Sequence, residues 1–265
     1  MNFVDIQIIR SIAFFIAASI VLALQQRHPH QPASDHARTN IEIWLIDIAL
    51  IGIACGGCAY SVANWTHEAG LGLLQQVELP VLITIPTTVL ALDLTSYVWH
   101  RANHAAPFLW RFHQAHHSDS HYAVTTALRF HPGELLFALP LRLLVILFLG
   151  LPVEGIIAFE ITFTFANLWE HGNINLATAT EKTIGRLAIT PSIHRRHHSI
   201  EPELLNSNYG TILSIWDRLG GTFGDASSTD RVEIGLRGIA DSLTTNQVLG
   251  MPARDCRQHD IDESH

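Results

Sequence analysis

The chain has 265 residues, of which 48% are hydrophobic and only 15% charged, a balance too apolar for an ordinary water-soluble domain. A formal net charge of −8 disfavours nucleic acid or an anionic surface as a partner through bulk charge. Three cysteines, Cys55, Cys58 and Cys256, are too few for a disulfide scaffold.

Residues 3–24 form an apolar run centred on IAFFIAASIVLAL, with Asp5 and Arg10 near its start. Its acidic start and spanning length predict an uncleaved transmembrane helix rather than a signal peptide. Residues 25–40 are polar and contain two prolines, so they read as a loop in which His28, His30 and His36 are solvated. Residues 41–63 predict a second span. Its CGGC, Cys55–Cys58, lacks the second cysteine pair a metal site needs and reads as small residues at a helix contact. The loop from Trp65 to Gln76 carries no lysine or arginine, whereas the first loop and the segments after His100 carry most of the basic residues. The positive-inside tendency therefore assigns the first loop and the histidine clusters to the cytoplasmic side.

Residues 77–99 form a third span that runs into HRANHAAPFLWRFHQAHH, His100 to His117, which holds five of the seventeen histidines. His100 and His104 are one helical turn apart on one face. In the HxxHH of His113, His116 and His117, the first residue shares a face with both others and the adjacent pair splays toward two neighbouring points. One metal or two fit this pattern, and imidazole suits iron, zinc, copper or nickel. Pro107 interrupts the helix, so pair and triplet sit on separate pieces. Asp93, two turns before His100, is either a carboxylate that receives a ligand's second ring hydrogen or an interfacial acid. His121 reads as a surface residue, and His131, before Pro132 at a helix start, has a supporting role or is a further ligand.

Residues 133–170 predict two apolar helices of about eighteen residues each around Gly150, Pro152 and Gly155. Such a hairpin returns NLWEHGNI, with His171, to the face of the first clusters. Asn167, four residues earlier, could bind metal weakly through its carbonyl oxygen or hold a water, and Glu170 could orient an imidazole. Thr190 and Pro191 read as the N-cap and first residue of a helix carrying a second HxxHH, His194, His197 and His198. NSNYG (Asn206 to Gly210) and SIWDRLGGTF (214–223) follow, with Asp217 and Arg218 read as a solvated or structural ion pair. The acidic remainder contains the short apolar patches IGLRG and VLGMP. His259 and His265 in it are solvated.

HxxxH, HxxHH, His171 and HxxHH supply nine histidines, enough for two metals with positions left open. No Glu-x-x-His pair of a carboxylate-bridged centre occurs, nor does HExxH or GxSxG. The run HRANH, HQAHHSDSHYAVTTALRFHPGE, WEHGNI, PSIHRRHHS, NYG and WDRLGGTF resembles the fatty acid hydroxylase/sterol desaturase superfamily over about residues 90–225. One departure is Ala123, where many members carry asparagine. The resemblance implies an all-α integral membrane protein of four to five transmembrane helices with a helical cytoplasmic cap that carries the histidine boxes. By motif position the implied metal residues are His100, His104, His113, His116, His117, His171, His194, His197 and His198, while His131 matches a characteristic family histidine. The implied cofactor is a non-haem pair of iron ions, and the implied reaction hydroxylates or desaturates a lipid with O2. No GxGxxG precedes a helix, so electrons are expected from a separate ferredoxin or cytochrome-type carrier with its reductase. The expected organisation is N-terminal transmembrane helices over 1–76, the di-iron domain over 77–225 and a polar tail over 226–265. Two alternatives are a metal-transit protein, with ligands spread across bilayer depth, and a scaffold of the same fold without chemistry.

Overall fold

The computed structural model describes residues 3–32, 37–225, 232–240 and 242–254. His36, Cys256, His259 and His265 lie outside them. Helix α1 runs Phe3–Arg27, followed by α2 (Ala37–Asp47), a π-helical turn at Ile48–Gly52, α3 (Ile53–Cys55) and α4 (Cys58–Glu68). Long α5 (Val81–Ala105) leads to α6 (Pro107–His117), then α7 (Pro132–Leu149) and α8 (Val153–Glu170). The cap adds α9 (Thr178–Ile184), α10 (Pro191–His197), α11 (Pro202–Leu205), α12 (Ile215–Gly220) and α13 (Thr245–Leu249). Among the described residues there is no strand, only isolated bridges such as Ser199 with Ile234.

Among the described residues, four helical stretches are long and apolar enough to cross a membrane: Phe3–Arg27, Ala37–Gln76, Val81–Ala105 and Pro132–Leu149. The protein is an all-α membrane protein. Large apolar side chains such as Ile12, Phe15, Leu82 and Phe148 are exposed on these helices, an arrangement costly in water and natural against lipid. The inner faces meet in a core of Ile6, Tyr60, Leu92, Ile146, Ile156 and Phe159. Helices α5 and α8 approach closely because Gly155 has no side chain: a Cβ there would fall 2.5 Å from Thr88 Oγ1. Inside this bundle Arg10 on α1 is paired with Glu160 on α8 at 3.0 Å, and Tyr60 on α4 donates to the same carboxylate. A charge in lipid is tolerable when neutralised in this way.

The hairpin at 133–170 forms as expected. Gly150 closes α7 at φ 66°, a left-handed conformation that favours glycine, and α8 runs back toward the start of α7. The segment read as a polar tail contributes to the core, because Leu243, Val248 and Met251 are buried with Ile43 and Ala115. Cys55 and Cys58 are free, and Gly57 between them rests on the Phe3 ring, as expected for a helix contact.

Candidate metal centre

Four helix ends deliver the nine histidines. Helix α5 brings His100 and His104 in its last turns, and extended Ala106 with Pro107 at the first position of α6 redirects the chain. Helix α6 then presents His113, His116 and His117, all buried. His171 caps the C-terminus of α8. Thr190 caps α10 by accepting the Ile193 amide, Pro191 follows it, and the helix carries His194 and His197 before ending on His198.

These side chains fall into two groups. His100, His104, His113, His117 and His197 form the first; His116, His171, His194 and His198 form the second, with the candidate ligand atoms of each group within 4.8 Å of one another. Each HxxHH serves both groups. The residues four apart, His113 with His117 and His194 with His198, stay together, and the middle histidine of each box, His116 or His197, crosses to the other group.

The ring nitrogens are polarised. Nδ1 of His100 lies 2.8 Å from the Tyr209 carbonyl, that of His113 2.9 Å from Glu134 Oε1, that of His171 2.7 Å from the Asn167 carbonyl and that of His197 2.7 Å from the Ser207 carbonyl. An acceptor there holds the hydrogen on Nδ1 and turns the Nε2 lone pair inward. Nε2 atoms then face each other: His113 and His117 at 3.2 Å, His171 with His116 and with His194 at 3.1 Å, and with His198 at 3.3 Å. Nε2 of His100 and His197 and both ring nitrogens of His104 are buried without a hydrogen-bond partner. Converging lone pairs and orphaned buried nitrogens are unfavourable alone, and a cation in each group satisfies them. The residues therefore fit metal ions.

Burial, reinforced by neighbouring imidazoles, holds His116, His117, His194 and His198 well below the ordinary histidine pKa. Burial takes His171 down to about 4 and His197 to about 3. Neutral imidazole is the ligand-competent form.

Asp93 touches no histidine; its carboxylate accepts the Ile212 and Leu213 amides at 3.3 and 3.2 Å and Trp216 Nε1 at 2.7 Å. Sharing a helix face with His100 leaves it about 10 Å lower along the axis, where it fastens the approach to α12. The Asn167 side chain donates to the Ala127 carbonyl, so its main-chain oxygen, not its amide, serves His171. His131 is not free to bind metal, because Nδ1 accepts the Gly133 amide at the start of α7 and Nε2 lies 3.1 Å from the Leu249 carbonyl. Glu170 is buried with oxygens 3.7 Å from His194 Nδ1 and 3.9 Å from His171 Nδ1, beyond hydrogen-bond reach but close enough to offset positive charge.

Two further residues carry weight. Glu134, buried in the first turn of α7, receives both His113 Nδ1 and Asn103 Nδ2 at 2.9 Å. An acid opening an apolar helix was the available signal. Asp217 is no solvated partner of Arg218, which lies over the Phe223 ring at 3.7 Å. It is fully buried and accepts the Tyr209 and Gly210 amides at 2.8 Å and Thr222 Oγ1 at 2.7 Å. It thereby shapes the NYG loop that offers the Tyr209 carbonyl to His100.

A family model for fatty acid hydroxylase matches residues 85–222, from within α5 to just past α12. The chain belongs to the fatty acid hydroxylase family. Among curated relatives of this family member, ornithine lipid hydroxylase OlsE of Rhizobium tropici is 34% identical over 142 residues, 54% of this chain and 42% of that protein. Alkylglycerol monooxygenase of Danio rerio is 36% identical over 155 residues, 56% of this chain and 31% of that protein. Cholesterol 25-hydroxylase of Rattus norvegicus is 22% identical over 189 residues, 69% of this chain and 61% of that protein. The chain thus spans less than half the length of the first two relatives. No solved structure matches.

Proposed function

We propose that this family member is an O2-dependent membrane lipid hydroxylase with two irons, one in each histidine group. The observation that carries the reading is the convergence of nine imidazoles into two adjacent groups whose Nε2 lone pairs face inward. Relatives of three substrate types are named hydroxylases or monooxygenases, which favours an alcohol product over an alkene. The matched segment, with all nine histidines, is the metal domain, and the cap faces the cytoplasm.

Bound iron would supply O2 reduction and the oxidant that replaces a lipid C–H with C–OH, the second oxygen leaving as water. The chain's residues hold that chemistry in place. Carbonyls of Tyr209, Asn167 and Ser207 and the Glu134 carboxylate fix the tautomer and plane of four ligands. Glu134 and Glu170 supply negative charge that the all-imidazole set lacks. His100 and His104 are the partly exposed members, and they sit where α5 ends its candidate span. A lipid chain approaching from the bilayer meets this side first, while the buried second group is shielded from water. Electrons come from a separate carrier of ferredoxin or cytochrome type.

Metal analysis of detergent-purified protein from iron-supplemented cells, with His117→Ala and His197→Ala alongside, tests the reading. Iron in the native chain that falls in both variants, together with a hydroxylated lipid found by mass spectrometry only in cells making the native chain, supports it. Iron-free protein, or content unchanged by both substitutions, leaves the scaffold reading in its place. Ligands spread through bilayer depth, as metal transit requires, are not what the clustered histidines offer.

A further inference from the structure

An aromatic file leaves the first histidine group. The Tyr209 ring lies 5.6 Å from His100, 5.1 Å from His104 and 5.4 Å from His197, centroid to centroid, and the Tyr97 ring lies 6.4 Å beyond it. Both tyrosines are buried. The Tyr97 hydroxyl is 3.0 Å from Thr222 Oγ1, which itself donates to Asp217 Oδ1 at 2.7 Å. Gly220 covers that hydroxyl so closely that a Cβ would fall 1.9 Å from it, and exposed Gly221 follows. Tyr209, by contrast, offers its hydroxyl only to the neutral Asn206 amide, at 3.5 Å.

We propose that Tyr97, through the Tyr209 ring, is a one-electron outlet that relieves the first histidine group when it becomes oxidised with no lipid C–H in reach. The proposal rests on the iron-dependent function above. In the step, Tyr97 gives one electron to the oxidised centre by way of Tyr209. Its phenolic proton passes to Thr222 Oγ1 as Thr222 releases its own to Asp217. A neutral tyrosyl radical and a protonated Asp217 result. Burial already raises the Asp217 carboxyl above its ordinary pKa, which eases this uptake. A thiol in solution then returns the electron near Gly221 and gives its proton to solvent, the proton on Asp217 returns to the phenolate oxygen, and two thiyl radicals couple to a disulfide. Tyr97 acts for the ligands' survival rather than for turnover; unrelieved, the oxidising equivalent falls on the histidines.

The test is freeze-quenched electron paramagnetic resonance on iron-loaded, reduced, full-length protein mixed with O2 without lipid, with and without ring-deuterated tyrosine. The expected result is a radical signal narrowed by the label, lost in Tyr97→Phe and diminished in Thr222→Val at unchanged iron content. Peptide mass spectrometry of Tyr97→Phe should show oxidised ligand histidines accumulating. A signal that persists in Tyr97→Phe, or that disappears instead in Trp110→Phe, whose ring lies 5.0 Å from His104, overturns the outlet. Iron that binds and oxidises in the native protein without any radical defeats the outlet alone. Protein that binds no iron defeats the functional reading and the outlet with it.

Discussion

The two histidine groups are built from the same residue type and the same HxxHH boxes, yet they are held differently. The first has five members, two of them partly exposed, and its braces come from outside the helices that carry them: Glu134 on α7, and the Tyr209 and Ser207 carbonyls of the loop before α12. The second has four members, all buried, braced by the Asn167 carbonyl one turn back on its own helix and flanked by Glu170. One group is partly open and braced from outside its own helices, and the other is enclosed, with His171 braced from its own helix. In a metal site of this kind, ligand identity sets what can bind, and the surrounding shell sets how firmly it stays and what can reach it.

The largest effect that can break this comparison comes from removing one ligand per group. His104→Ala is expected to empty the first group and His198→Ala the second, each leaving the other occupied, as read by iron per chain; loss of all metal from either variant would show that the groups are not separable. Next is Glu134→Ala, which strips the acceptor from His113 and Asn103. Metal affinity should fall roughly 10–100-fold by competition with a chelator, with the loss confined to the first group. Glu170→Gln should weaken the second group by less, because its carboxylate makes no hydrogen bond to either nearby imidazole.

Acid should act on both. His171 and His197 titrate near 6.5 unfolded and at about 4 and about 3 when folded, so below pH 6.5 the unfolded metal-free chain binds more protons. Stability is therefore flat above that value and falls as pH drops from 6.5 toward 4, measurable as a declining unfolding temperature of chelator-treated protein. The smallest effect on metal should come from Asp93→Ala. It leaves the Trp216 indole and two amides unpaired at a cost of about 1–3 kcal/mol, seen in thermal unfolding, with iron content unchanged. A loss of iron there would place Asp93 among the ligand braces.

The convergence of the nine histidines was legible from sequence because histidine spacing on a helix translates directly into a shared face, and because Pro107 and the Thr190–Pro191 cap mark where the helices begin. The braces were not. Three of the four are main-chain carbonyls, of Tyr209, Ser207 and Asn167, and any residue type supplies a carbonyl. Asp93 shows the converse limit: periodicity gave the correct face of α5 but not its reach along the axis. Asp217 looked like half of a surface ion pair because Arg218 follows it, while its own oxygens were needed by the loop. The patches IGLRG and VLGMP were visible as apolar, but only the fold shows them closing over Ile43 and Ala115.

The carbonyls that orient His100 and His197 lie about a hundred and ten residues further along the chain in the first case. A ribosome makes the chain from its N-terminus, so all four candidate spans are in the membrane before the loop at Ser207 and Tyr209 exists. The earliest histidines therefore wait, paired and incomplete, until synthesis has passed Asp217. On the proposed function, firm capture of metal in the first group would be a late event, following synthesis of all four candidate spans.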